Sequence, residues 1–231
     1  MNTSHDAAPT QVLDLTGQVL LTTTAGCVNT VGYLALGGVF TSVMTANLAL
    51  LGLASGVGDP SVARLAALAI LAYWAGTAVG SKVAVSSFRR RPDAMGLKGA
   101  LAVETLVLWS VSVTWMIVDG EPGSVQRAVL LAASALAMGC QGGGVRVATR
   151  GAASTSYLTG AMTSVIAELV QNRRFDRNVA LIIVCMPVGA ALGGMAIRWA
   201  RLTAPGIAAL LATVALLLVA RRSGRRSSRR P

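Results

Sequence analysis

Apolar residues fall along this chain in eight stretches, at about 17–39, 43–57, 62–86, 97–118, 125–141, 154–170, 178–199 and 203–220. The breaks between them are Gly58-Asp59-Pro60, Arg91-Pro92-Asp93, Asp119-Gly120-Glu121-Pro122-Gly123 and Gly142-Gly143-Gly144, with Ala204-Pro205-Gly206 near the start of the last. Such glycine- and proline-rich runs mark turns. No stretch keeps the strict alternation of a membrane barrel strand, so the stretches are expected to be helices. A full crossing takes about 20 apolar residues. The second stretch is too short for this after its polar entry Thr41-Ser42-Val43-Met44-Thr45-Ala46-Asn47. The sixth is led by Ser154-Thr155-Ser156-Tyr157-Leu158-Thr159-Gly160 and interrupted by Glu168, and is equally marginal. The pattern therefore predicts an all-α, polytopic membrane helical bundle with six to eight spans.

Composition supports that class. Apolar side chains make up 54% of the 231 residues and charged ones 13%, against roughly 25% charged in soluble domains. Mean hydropathy is +0.64. No room is left for a separate soluble domain, so the net charge of +11 reads as topology and not as nucleic-acid affinity. Six arginines lie between Arg221 and Arg230, and Arg89-Arg90-Arg91 forms a second cluster. Positive residues collect on the cytoplasmic face, and a basic tail is drawn to anionic lipid headgroups. Residues 1–16 are polar and without Lys or Arg, unlike a signal peptide. Cys27, Cys140 and Cys185 are isolated in apolar surroundings, and the one histidine, His5, is near the N-terminus. Neither a metal site nor another cofactor is expected. Without a Ser/His/Asp set, an H-E-x-x-H, or a strand and lysine around Gly142–Gly144, the chain is not expected to be an enzyme.

The chain also repeats itself. Gly26-Cys27 recurs as Gly139-Cys140, 113 positions on. Arg64, Ala67, Leu68, Ile70, Gly76, Ala78 and Gly80 recur at that spacing as Arg177, Ala180, Leu181, Ile183, Gly189, Ala191 and Gly193. Thr41-Ser42-x-x-Thr45 recurs as Thr155-Ser156-x-x-Thr159, 114 positions on. The expected organisation is a polar tail at 1–16, a first helical repeat at 17–118 and an acidic external loop at 119–124. A second repeat at 125–220 and a basic cytoplasmic tail at 221–231 complete it. If stretches two and six are re-entrant, six crossings remain, and the Arg-rich segments share one face while Asp119 and Glu121 lie on the other. The two repeats are then inverted, each with one short helix.

These segments resemble the YoaK-type family, small multi-pass bacterial membrane proteins of unknown function. The resemblance covers about residues 17–220 and rests on Ala25-Gly26-Cys27-Val28-Asn29-Thr30, Phe40–Asn47 and Met138-Gly139-Cys140-Gln141, followed by Arg146 and Thr155–Gly160. It implies the bacterial cytoplasmic (inner) membrane and supplies no activity. The family usually carries Asp at the position of Asn29 and Gly at that of Ala46.

Polar groups at membrane depth are candidate functional groups, because each ionisable one costs about 2.5–3.5 kcal/mol on insertion scales. Glu104 is the expected coupling residue, with Arg146 as its counter-charge. Asn29, Thr45, Asn47, Gln141, Arg146, Thr155 and Thr159 form the expected solute site. Half-helices that begin mid-bilayer expose unpaired N–H groups, and Thr45–Asn47 and Thr159–Ala161 would begin two such helices from opposite sides. The expected function is that of a small transporter or permease-like protein for a small polar or anionic solute. The alternative is a membrane scaffold or partner subunit in which the same groups only join helices. Gly76-x-x-x-Gly80 and Gly189-x-x-x-Gly193 are expected to pack helices within the monomer, with a homo-oligomer as the other use.

Overall fold

The structure, a computed structural model, describes the backbone of residues 13–90, 95–149 and 158–227, and the side chains within these ranges except 87–90, 95 and 222–227. Among the described residues eight α-helices follow one another: α1 (Leu15–Ala35), α2 (Met44–Val57), α3 (Pro60–Arg90), α4 (Met95–Ile117), α5 (Ser124–Ala148), α6 (Leu158–Asn172), α7 (Arg177–Trp199) and α8 (Ala204–Ser227). Five of them, α3, α4, α5, α7 and α8, contain stretches long and apolar enough to cross a bilayer. The helix α1 is not among them, since Gln18, Thr22–Thr24, Asn29 and Thr30 interrupt its apolar sequence. At about 1.5 Å per residue, the 14 residues of α2 and 15 of α6 span about 21 and 22 Å, short of the roughly 30 Å hydrocarbon layer.

Local chemistry accounts for most boundaries. Gly58 closes α2 in the left-handed region at φ 76°, which costs glycine nothing. Asp59 then accepts from Ser61 N at 3.0 Å and Val62 N at 3.2 Å, and Pro60 takes the first helical position, where a missing N–H is harmless. The Ser61 hydroxyl, which also donates to it, together with those two bonds holds the half-buried Asp59 carboxyl below its ordinary range. Asp176 caps α7 the same way, through Asn178 N and Val179 N. One expected break is absent. Gly142–Gly144 do not end a helix, and α5 continues through them to Ala148. A Cβ on Gly143 would collide with the Thr77 carbonyl, and one on Gly144 with Ala100 Cβ. These glycines serve close packing and not a turn.

The buried residues form three stacked clusters. At one end, the base, Leu13, Leu21, Leu97, Leu101, Val145, Ala215 and Val219 meet. The middle holds Ala25, Cys27, Val28, Leu108, Ala137, Met138 and the alanines of α8. At the other end, the crown, Leu36, Val39, Ala66, Trp115, Leu130 and Leu131 meet. Consequently α1 and α4 run from base to crown, while α3, α5 and α8 run from crown to base. The crown is tied by Trp115 Nε1, which donates to the Arg201 carbonyl at 2.8 Å, and by Arg201 Nε, which donates to the Gly120 carbonyl at 3.0 Å.

The closest packing is between α3 and α5 and between α1 and α7, and each pair is parallel. Gly76 sits on Leu136 and Gly80 on Cys140; Gly139 in turn sits against Tyr73 and Thr77. In the other pair Gly189 sits on Thr23 and Gly193 on Cys27, while Gly26 sits against Met186 and Ala190. Every partner in the first set has its counterpart in the second at a spacing of 113 positions. With a glycine on one helix facing the backbone of the other at each of these points, the backbones approach directly and gain dispersion contact where lipid offers no hydrophobic drive between helices.

Candidate functional site

The chain is interrupted between α1 and α2, and Asn29 organises the interruption. Gly37 and Gly38, at φ 117° and 77°, turn the chain back along α1. The Asn29 Oδ1 then accepts from Thr41 N at 2.9 Å, Ser42 N at 2.9 Å and the Thr41 hydroxyl at 3.1 Å. Its Nδ2 donates to Ser42 Oγ at 2.7 Å. Asn29 lies six residues before the end of α1, so the chain dips about 9 Å below the helix end before α2 starts. A second amide secures the same segment: Asn47 Nδ2 donates to the Phe40 carbonyl at 2.6 Å, and Phe40 N donates to Asn47 Oδ1 at 2.9 Å. Both asparagines are buried.

Against this segment lies a cavity of about 210 Å³, between α1, the 40–43 strap and α7. Asn29, Thr30, Tyr33, Phe40, Met186 and Ala190 are among its walls. The Tyr33 and Phe40 rings stack 5.1 Å apart, and the Thr30 hydroxyl lies 3.1 Å from the Gly26 carbonyl and 3.0 Å from that of Ala190, joining α1 to α7. No cationic side chain lines it. A wider hollow, about 550 Å³, is walled, among the described residues, by α6 alone.

The expected site residues are dispersed. Asn29 reaches the cavity and Asn47 braces its wall from behind. Gln141 is buried in the centre, where its Nε2 donates to the Leu21 carbonyl at 3.1 Å and joins α5 to α1. Thr45 and Thr159 are exposed on α2 and α6, and these two helices do not touch: α2 packs on α3, α6 on α7. The two short helices therefore do not meet in a shared central site. Arg146 is exposed on the last turn of α5 and is not the counter-charge of Glu104, which is fully buried with no hydrogen-bond partner at either oxygen. Thr155 lies outside the described residues. Glu168 is exposed and accepts from Asn172 within its own helix. Tyr33, Phe40, Thr30 and Met186 enter the cavity without having been singled out; only the adjacency of Thr30 to Asn29 and of Phe40 to the Thr41-Ser42 motif hinted at them. Among the described residues no cluster of His, Cys, Asp and Glu is placed to hold a metal.

A helical bundle with a broken helix and a small lateral cavity invites comparison with known proteins. The family model described as "Protein of unknown function (DUF1275)" matches residues 18–220. The chain belongs to this family. It is also 27% identical over 187 residues to the UPF0700 transmembrane protein YoaK of Bacillus subtilis (strain 168), covering 77% of this chain and 81% of that protein. No solved structure matches. With the five apolar helices, the relationship makes this DUF1275 protein a multi-pass membrane protein.

Proposed function

We propose that this protein is a small permease built from two inverted copies of one helical unit, with the cavity beside Asn29 as its solute site. The observation that carries the reading is the exchange of partners: α3 packs on α5 as α7 packs on α1, residue for residue at the 113-position spacing. Because α1 runs base to crown and α5 crown to base, the copies point in opposite directions. Alternating access uses such pairs of inverted units around a site bordered by discontinuous helices. The α1–α2 break supplies the discontinuity.

Charge orients the molecule in this reading. Of the sixteen Lys and Arg among the described residues, Arg64, Arg127, Arg198 and Arg201 belong to crown segments, and the other twelve belong to segments toward the base. By the positive-inside rule the base faces the cytoplasm of a bacterial inner membrane, and the basic C-terminal tail lies on anionic headgroups. The cavity walls suit a small solute with an apolar body and one polar group, which Asn29 or Thr30 would meet. The absent cation argues against a strongly anionic one.

The test is a thermal-shift screen of purified protein against small polar solutes, followed by counterflow in proteoliposomes for any that stabilise. Val43 is part of the cavity wall, so Val43→Phe fills the space. It is expected to abolish stabilisation and counterflow while leaving the ligand-free melting temperature near that of the wild type. Stabilisation unaltered by Val43→Phe would remove the cavity from the mechanism. The second reading, a scaffold or partner subunit, is favoured by one observation: three donors already fill Asn29 Oδ1. A screen in which no solute stabilises the wild type would select it.

A further inference from the structure

Glu104 sits where no carboxyl belongs without a reason. It lies between Leu101 of the base cluster and Leu108 of the middle cluster, nine residues into the 23-residue helix α4. Its exposure is 0%. Neither carboxyl oxygen has a hydrogen-bond partner, and the hydroxyl of the adjoining Thr105 is also buried and unpartnered. This combination is rare among buried polar groups, nearly all of which are satisfied.

Among the described residues the surroundings hold no balancing charge. The elements packed on α4 are α3, α5, α8 and the single turn Arg201–Thr203. From α5 the titratable group in electrostatic reach is the buried thiol of Cys140; Arg127 and Arg146 of that helix are exposed. From α3, Tyr73 is half-buried, while Lys82 is exposed. From α8 there is none before Arg221, which is exposed. Arg201 is bonded at the crown to Gly120. On α4 itself Lys98 is half-buried, nearly two turns nearer the base. A bare carboxylate in such a place would be held with neither donor nor cation, the least tolerable state for an ion in a bilayer.

We infer that Glu104 is an internal proton-exchange site: its carboxyl carries a proton in this closed arrangement and releases it to water when α4 parts from α5 and α8. The step is a transfer of H⁺ from the carboxyl to a water oxygen, reversed on closure, with no redox partner. As the coupling ion of a permease this proton depends on the function proposed above; as a property of this carboxyl it does not, because it is measured without any solute.

The experiment is infrared difference spectroscopy of the full-length protein in lipid at neutral pH. The carboxylic C=O stretch should be present, should move with ¹³C-glutamate labelling, should survive in the Glu121→Gln/Glu168→Gln double variant and should vanish in Glu104→Gln. The double variant assigns the band to Glu104 by elimination even if Glu104→Gln fails to fold. In D₂O the band should move down within minutes to hours. An absent band means a carboxylate and overturns the inference. A band that never responds to D₂O marks a sealed structural acid and overturns exchange. A band removed when sodium replaces choline at fixed pH marks a metal-cation site and overturns the proton. Failure of the solute screen would leave all these results unchanged, so the two readings fail separately.

Discussion

Substituting alanine at Gly76 tests the packing that holds the two halves together. A Cβ there would stand 2.8 Å from the Leu136 carbonyl carbon and 2.9 Å from its Cα, and would overlap the carbonyl oxygen. Ordinary carbon contacts are about 3.5–4.0 Å, so α3 and α5 must separate by about 1 Å. The obstacle is backbone, which no rotamer change can move aside. A gap of about 1 Å along the pair forfeits up to half of each lost dispersion contact, and overpacking costs typically run about 1–3 kcal/mol. A loss of about 3 kcal/mol is expected, or about 6–12 °C in melting temperature for a chain of this size. Gly189 meets Thr23 at the same two distances, 2.8 and 2.9 Å, and Gly189→Ala should cost the same. Gly52 in α2 has nothing within 4 Å of its would-be Cβ. There the same change should raise stability by about 0.5–1 kcal/mol, since alanine loses less backbone freedom in a helix. The assay is thermal unfolding in one detergent for all three variants. If Gly76→Ala melts with Gly52→Ala, the close approach of the helices is wrong; if Gly76→Ala and Gly189→Ala differ widely, the matched packing of the two pairs is wrong.

Two shorter predictions bear on the strap and the topology. Asn29→Leu strands the N–H groups of Thr41 and Ser42 and should cost on the order of 1–3 kcal/mol for each group left unpaired, whereas Asn29→Asp keeps the acceptor and lets Ser42 Oγ donate in turn, so its melting temperature should stay near that of the wild type; equal losses would show that the strap does not depend on this acceptor. A cysteine at Glu121, which is exposed, should be labelled by an impermeant maleimide from outside and one at Ser223 from inside only. Labelling of both from one side would end the six-crossing arrangement.

How much of this was legible beforehand depended on which force set each feature. The class of fold followed from apolar stretches longer than a bilayer requires, and the short second and sixth helices from their polar entries. Boundaries at Gly58-Asp59-Pro60 and Ala204-Pro205 were readable because cap chemistry is local. Gly142–Gly144 misled, because glycine signals both a turn and a close approach, and only the presence of Thr77 and Ala100 opposite separates the two. The pairing of Asn29 with Thr41 and Ser42 spans a reversal at Gly37-Gly38, and no helical periodicity relates residues across it. Likewise Glu104 and Arg146 looked matched in sign, but a continuous α5 carries Arg146 out to the surface. Their separation is a consequence of the three glycines not breaking the helix.

On the proposed doubling, the halves differ where it matters for access. The position 113 beyond Asn29 is Gly142, and that 114 beyond Asn47 is Ala161. Neither replacement carries a side-chain amide, so neither asparagine of the two clips has a counterpart by sequence in the second copy. The described residues are uneven in the same sense: Asn47 is fully buried, whereas most of α6 is exposed and, among the described helices, touches α7 alone. The strap before α2 is held by amide bonds made within one stretch of 19 residues, from Asn29 to Asn47. In the proposed permease, opening at the crown must therefore break these asparagine bonds, which the second copy cannot make with the same residues.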